Sequence, residues 1–167
     1  MPLRTWTPNW TGWSKTRSSQ PNPKAMKRRV VEIPPLHEYI QDIIYVKLGK
    51  PRPYGVEHAE RQLRKLPWGD CLPYVVSCMV DCTRLKYNHI PLLGKLVTRL
   101  MRFQPELPVR LLDAVLENLR QGIEFNKWDH MQRRLTNMKL LGELYVARLV
   151  DQATIFETLY CLSLIHI

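Results

Sequence analysis

Residues 129–149 read DHMQRRLTNMKLLGELYVARL, and their spacing decides the fold class. Met131, Leu135, Met138, Leu141, Leu144, Tyr145 and Leu149 recur at intervals of three and four, the period of one face of an α-helix. Asp129 precedes them as an N-cap residue, able to accept a backbone N–H bond at the helix start. A strand would need apolar and polar residues to alternate with a period of two between turn signals, and no segment of the chain shows that.

The same period extends outward from this stretch. Downstream, Asp151 can cap a further helix whose Ala153, Ile155, Phe156 and Leu159 are expected to begin another inward face. Upstream, Pro105 and Pro108 punctuate the entry to a helix over about 108–124. Before it, helices are expected near 90–103, 72–87 and 56–66, with Pro67 blocking extension of the last. The first begins after Pro34-Pro35. Its Leu36, Ile40, Ile43, Ile44 and Leu48 share one face, and the run from Gly49 to Gly55 ends it. Short helices joined by short loops, without a heptad seam, predict an all-α, HEAT-like α-solenoid of antiparallel hairpins. In such a stack each hairpin needs a neighbour to cover its apolar side, so a last helix with nothing after it predicts a fold incomplete at its C-terminus.

Residues 1–33 differ in kind. They are poor in aliphatics and rich in Pro, Ser, Thr, Asn and basic residues, too little apolar surface to offset the entropy of ordering, and are expected to form a flexible basic arm. The chain of 167 residues carries a net charge of +10. Seven basic residues against Glu32 put +6 of that before residue 36, which leaves 18 basic against 14 acidic residues for the remainder. The helical part is therefore far less basic than the whole. No apolar run reaches the roughly 18 residues of a membrane span. Four cysteines without regular spacing fit a reducing compartment, cytoplasm or nucleus, better than a disulfide framework.

Chemistry-bearing patterns are few. Cys78 and Cys82 stand four residues apart, with Cys71 and His89 further off, but zinc needs four converging ligands and a straight helix cannot wrap one ion. Core packing is the expectation for these thiols, and no metal or cofactor is expected. No glycine-rich phosphate cradle, GxSxG or HExxH pattern is present, so catalysis is not expected. Trp6, Trp10 and Trp13 interleave with Arg4, Lys15 and Arg17, a pattern that either stacks nucleic-acid bases or belongs to a solvated leader. The cluster Lys27-Arg28-Arg29 either meets phosphates or serves solubility.

One further pattern runs against the net charge. At about 100° per residue, Asp113 and Glu117 lie about 40° apart, and Glu124 falls within about 20° of Asp113. Three acids thus follow one helix face. Like charges at this spacing cost a few tenths of a kcal/mol, which pairing with Arg110 or Arg120 can offset. The stripe is either a solvated face laced with ion pairs or an anionic strip that docks a cationic protein surface.

The segments PPLHEYIQDIIYVKL, RQLRKLPW, KYNHI, LLDAVLENLRQGIEFN and QRRLTNMKLLGELYVARLVDQATIFETLY resemble, in that order, the third middle-domain repeat of the regulator of nonsense transcripts 2 (up-frameshift-2) family. Those repeats are in turn similar to the middle domain of translation initiation factor 4G, the MIF4G type. The resemblance spans residues 34–160 and implies a non-enzymatic, cytoplasmic scaffold of nonsense-mediated mRNA decay, in the perinuclear cytoplasm as well. It implies that Asp113, Glu117 and Glu124 bind the basic RNA-recognition-motif domain of up-frameshift factor 3. A family acid beside Glu117 is Asn118 here. The family domain has about five hairpins, of which this chain supplies the N-terminal part. Residues 161–167, CLSLIHI, do not match its continuation and are expected to be a non-native tail, so the truncated domain is expected to be less stable than a full one. Two alternatives stand beside this reading: an RNA-binding helical-repeat module using the arm and exposed Lys and Arg, or a translation-initiation scaffold of the same superfamily that binds a helicase or cap-binding protein.

Overall fold

The structure is a computed structural model that describes residues 33–51, 55–125 and 130–164. Residues 1–32 of the arm, with its tryptophans and the Lys27-Arg28-Arg29 cluster, and the expected N-cap Asp129 lie outside the described residues. So do residues 165–167 of the expected tail. Among the described residues there are seven α-helices and no strand, so the chain is all-α, as its periodicity requires. In chain order the helices are α1 (Pro35–Gln41), α2 (Val56–Leu63), α3 (Trp68–Val80), α4 (Ile90–Leu100), α5 (Glu106–Glu124), α6 (Met131–Val146) and α7 (Gln152–Leu164).

Alternate helices pack side by side. α1 lies against α3 and α3 against α5, while α2 lies against α4 and α4 against α6. Cross-layer contacts of α4 with α5 and α5 with α6 join the two rows. This two-layer stacking of antiparallel neighbours is the solenoid arrangement, in which each hairpin touches mainly the hairpins beside it.

The apolar stripes read from sequence become the shared core. Ile40, Ile43, Ile44 and Leu48 are fully buried, as are Leu93, Leu96, Val97 and Leu100 of α4 and Leu107, Leu111 and Val115 of α5. Leu36 stays partly exposed at the entry to α1. Beyond Gln41 the first helix widens into a π-helical turn, Asp42–Lys47, in which Leu48 N–H donates to the Ile43 carbonyl at 3.0 Å. Its ends are tied by an ion pair between Lys47 and Asp42, 2.7 Å apart. Tyr45 on this turn donates its hydroxyl to the Cys78 carbonyl at 2.8 Å, and His37 stacks on Tyr74 with centroids 3.7 Å apart, so side chains as well as aliphatics join α1 to α3.

Several boundaries differ from the sequence expectation, α2 ending at Leu63 rather than near 66 and α4 at Leu100 rather than near 103. α3 starts at Trp68 rather than near residue 72, because Pro67 both stops α2 and occupies the N-cap position of the next helix, with Asp70 favourably placed in its first turn. It ends at Val80 rather than near 87, because Asp81 leaves helical geometry and accepts a 2.6 Å bond from Thr83, and two single 3₁₀ turns then lead to α4. α5 begins two residues early at Glu106, since Pro108 sits within its first turn, where no intrahelical N–H bond is lost.

The inward face of α6 is rotated from the one read in the sequence. Met131, Leu135 and Tyr145 are exposed, whereas Thr136, Asn137, Leu140, Leu141 and Leu144 are buried. Burial of Thr136 costs little because its hydroxyl donates to the carbonyls of Gln132 and Arg133, both at 3.0 Å. α6 ends in a paired closure: Leu149 N–H returns to the Leu144 carbonyl and Arg148 N–H to the Tyr145 carbonyl, with Arg148 itself left-handed at φ 58°. α7 follows but does not present the expected inward face. Ile155 packs on the core, while Ala153, Phe156 and Leu159 are exposed.

Candidate protein-docking face

The outer face of α5 is determined by its inner one. Leu107, Leu111, Val115 and Leu119 recur every four residues and are buried against α3, α4 and α6. Asp113 and Glu117 each lie two positions beyond a buried residue, about 200° around the helix, and so must face outward. Asp113, Glu117 and Glu124 are all exposed. The structure therefore brings the three predicted acids to one accessible face of one rigid element.

Their local partners are weak. Glu124 pairs with Arg120 at 3.4 Å, but both side chains are mostly in water, where such a pair adds little. Arg110 turns to Glu106 at 3.0 Å instead of to Asp113. Glu117 accepts a neutral bond from Gln121 at 2.8 Å. Asp113 makes no ion pair or side-chain hydrogen bond among the described residues. The stripe is thus only partly neutralised by its own helix, and much of its field is directed outward.

Asn118 faces away from the stripe, toward α6. Its Nδ2 donates to the Ala114 carbonyl at 2.7 Å, and its Oδ1 accepts a short bond from Arg133. Arg134 donates to the Gly122 carbonyl at 3.0 Å across the same seam. The sequence reading did not single out these arginines. The signal was there, since two consecutive arginines in the first turn of a helix run against the dipole preference for acids at that end. What it lacked was the proximity of residues 118–122 to residues 133–134, which only the α5–α6 crossing supplies.

A second charged surface lies in the other layer. Arg61, Arg64 and Lys65 of α2 and its end stand near Arg102 and Phe103 beyond α4, and the Arg64 guanidinium sits 3.7 Å from the Phe103 ring centroid. Arg99 beside them is bound to Glu57 and Glu60, at 3.5 and 3.3 Å.

The cysteines are where packing would put them. Cys71, Cys78 and Cys82 are buried, with Cys82 on the 3₁₀ turn after α3 rather than on the helix itself. Its thiol donates to the Met79 carbonyl at 3.0 Å, and burial, then nearby Asp81, pushes its pKa up to about 12. A protonated, enclosed thiol is a poor nucleophile. Among the described residues no cluster of His, Cys, Asp and Glu is arranged to hold a metal, and no helix is long and apolar enough to cross a membrane.

Comparison with known proteins places this arrangement. Residues 44–164 match the MIF4G domain family. The chain is 40% identical over 140 residues to the human protein "Regulator of nonsense transcripts 2", covering 83% of this chain and 11% of that protein. It is 40% identical over 127 residues to "Regulator of nonsense transcripts UPF2" of Arabidopsis thaliana, covering 76% of this chain and 10% of the relative. "Nonsense-mediated mRNA decay protein 2" of Saccharomyces cerevisiae is 25% identical over 142 residues, 84% of this chain and 13% of that protein. The chain thus spans about a tenth of the length of the curated relatives it matches. Stacked helical hairpins, a match across most of the described residues and relatives of one kind lead to one assignment: the chain belongs to the MIF4G domain family, in the branch formed by the regulators of nonsense transcripts.

Proposed function

We propose that this domain is a non-catalytic scaffold module of cytoplasmic nonsense-mediated mRNA decay, the third repeat of its type, that docks the basic RNA-recognition-motif domain of up-frameshift factor 3 on α5. The observation that carries the reading is the exposed row Asp113, Glu117 and Glu124, in which Asp113 has no ion pair among the described residues and Glu117 has a neutral partner. An anionic strip on a rigid helix raises the on-rate of a cationic partner and fixes its register. The names of the relatives support the pathway.

The test is a pull-down and titration with that partner domain. Glu124→Arg, or Asp113→Lys with Glu117→Lys, is expected to abolish binding while the helical circular dichroism stays as in wild type. Binding that persists with the fold intact removes the assignment.

A second reading rests on the other layer. The Arg64–Phe103 pair, with Arg61, Lys65 and Arg102 around it, offers a ring for base stacking beside cations for phosphates. It predicts RNA affinity that falls steeply with salt and drops when Arg64 and Arg102 are changed to Glu. Affinity indifferent to both changes excludes this surface.

A further inference from the structure

Where α5 ends and α6 begins, a cavity of about 260 Å³ opens between Asn118, Gln121 and Gly122 on one side and His130, Arg133 and Arg134 on the other. Among the described residues that line it there is no carboxylate. Arg133 is steadied by the Asn118 amide oxygen, a neutral acceptor, so its guanidinium is oriented without its charge being cancelled there. Arg134 lies across α5 because residue 122 is glycine: a Cβ there would stand 2.9 Å from the Arg134 Cγ. That close approach lets Arg134 reach the Gly122 carbonyl and form one wall of the cavity. One turn further along the same face of α6, Asn137 is almost fully buried, and neither of its side-chain polar atoms has a hydrogen-bond partner among the described residues.

The rim has the opposite sign. Gln121, which lines the cavity, is bonded to Glu117, and Glu124 stands one turn below it on α5. A polyphosphate strand laid along this side of α5 would run beside like-charged carboxylates. A single carboxylate projecting from a mixed-charge protein surface would not, and planar guanidinium groups match its two oxygens.

We propose that the α5–α6 cavity receives an acidic side chain of the protein that docks on the acid face. Recognition is then two-signed: the partner's basic groups meet Asp113, Glu117 and Glu124, while one Asp or Glu of the same partner enters between Arg133 and Arg134. A uniformly basic surface satisfies only half of this pattern, so the cavity selects among cationic partners and fixes their orientation.

The proposal rests on the docking reading, and its test separates the two. The full chain is titrated by calorimetry against the RNA-recognition-motif domain of up-frameshift factor 3, as wild type, Arg133→Glu and Glu124→Arg. Circular dichroism verifies that each variant is folded, and the partner's surface acids are changed one at a time to Lys. Arg133→Glu is expected to weaken binding about tenfold or more, and one partner acid-to-Lys variant to recover most of that loss. If Arg133→Glu changes affinity by less than about twofold while Glu124→Arg abolishes it, the docking reading stands and the cavity assignment falls. Loss that no partner variant rescues also overturns the cavity assignment. Binding that survives Glu124→Arg overturns both.

Discussion

α5 and α7 are both regular helices rich in apolar residues, yet they stand at opposite ends of what a helix can contribute. α5 gathers its aliphatics on one stripe, buries Leu107, Leu111, Val115 and Leu119 to 3% exposure or less, and leaves its charges outside. α7 spreads its apolar groups around the cylinder, so Phe156, Leu159 and Tyr160 remain 60%, 48% and 66% exposed. The difference lies in packing: most helical stability in a folded protein comes from burying one face, and α7 has only Ile155 and its neighbours to bury.

The sharpest way to break this contrast is in the core of α5. Leu111→Ala removes a fully buried side chain at the meeting of both layers and is expected to cost about 2–5 kcal/mol in urea unfolding. A loss well below that range would mean that α5 is no better anchored than α7.

Thiol chemistry probes the same contrast. Cys71, Cys78 and Cys82 lie inside, and Cys161 is exposed on α7. In the folded protein only Cys161 is expected to react promptly with a thiol reagent, and the others only after denaturation. Cys82 also carries a sign for pH. Its folded pKa of about 12 lies above the ordinary 9.0, so its contribution is complete below pH 9.0 and is lost as pH rises toward 12. Tyr45, raised chiefly by burial, shifts stability in the same direction. Stability measured by denaturant titration should therefore decline across alkaline pH.

Two smaller effects complete the series. Arg148, exposed and left-handed at φ 58°, joins α6 to α7, and Arg148→Gly is expected to stabilise by about 0.5–1 kcal/mol. Phe156→Ala on α7 should change unfolding stability by less than about 0.5 kcal/mol, since the ring is mostly in water. A cost comparable with that of Leu111→Ala would erase the distinction between the two helices.

The two helices also mark how far the sequence could be read. On α5 the prolines at the entry and the acids sharing one face were legible in the sequence, whereas the buried row Leu107, Leu111, Val115 and Leu119 on the other side emerged from the structure. On α6 the period suggested Met131, Leu135 and Tyr145 as inward, but the helix is turned so that Thr136 and Asn137 go in. A hydroxyl bonded to its own helix can be buried as readily as a methyl group, and hydropathy does not register that. The π-helical turn after α1 left no mark in composition, because Ile40, Ile43, Ile44 and Leu48 are compatible with either winding. Of the proposed docking face, the acids were visible because they lie on one helix. The guanidinium wall opposite them was not, because Asn118 and Arg133 are fifteen residues apart and meet only through tertiary packing.

The outward orientation of α5 has a consequence for how such a domain changes over generations. Side chains at positions 113, 117 and 124 touch solvent and one another's neighbours, while the shape of the molecule is held from the other side of the same helix. Mutations there are scarcely filtered by the need to remain folded, so a docking role of the kind proposed would be the main constraint on them. Duplicated copies of the domain are thus free to diverge in partner choice while their architecture stays fixed, and a protein designer can rewrite this row of residues without repacking anything beneath it.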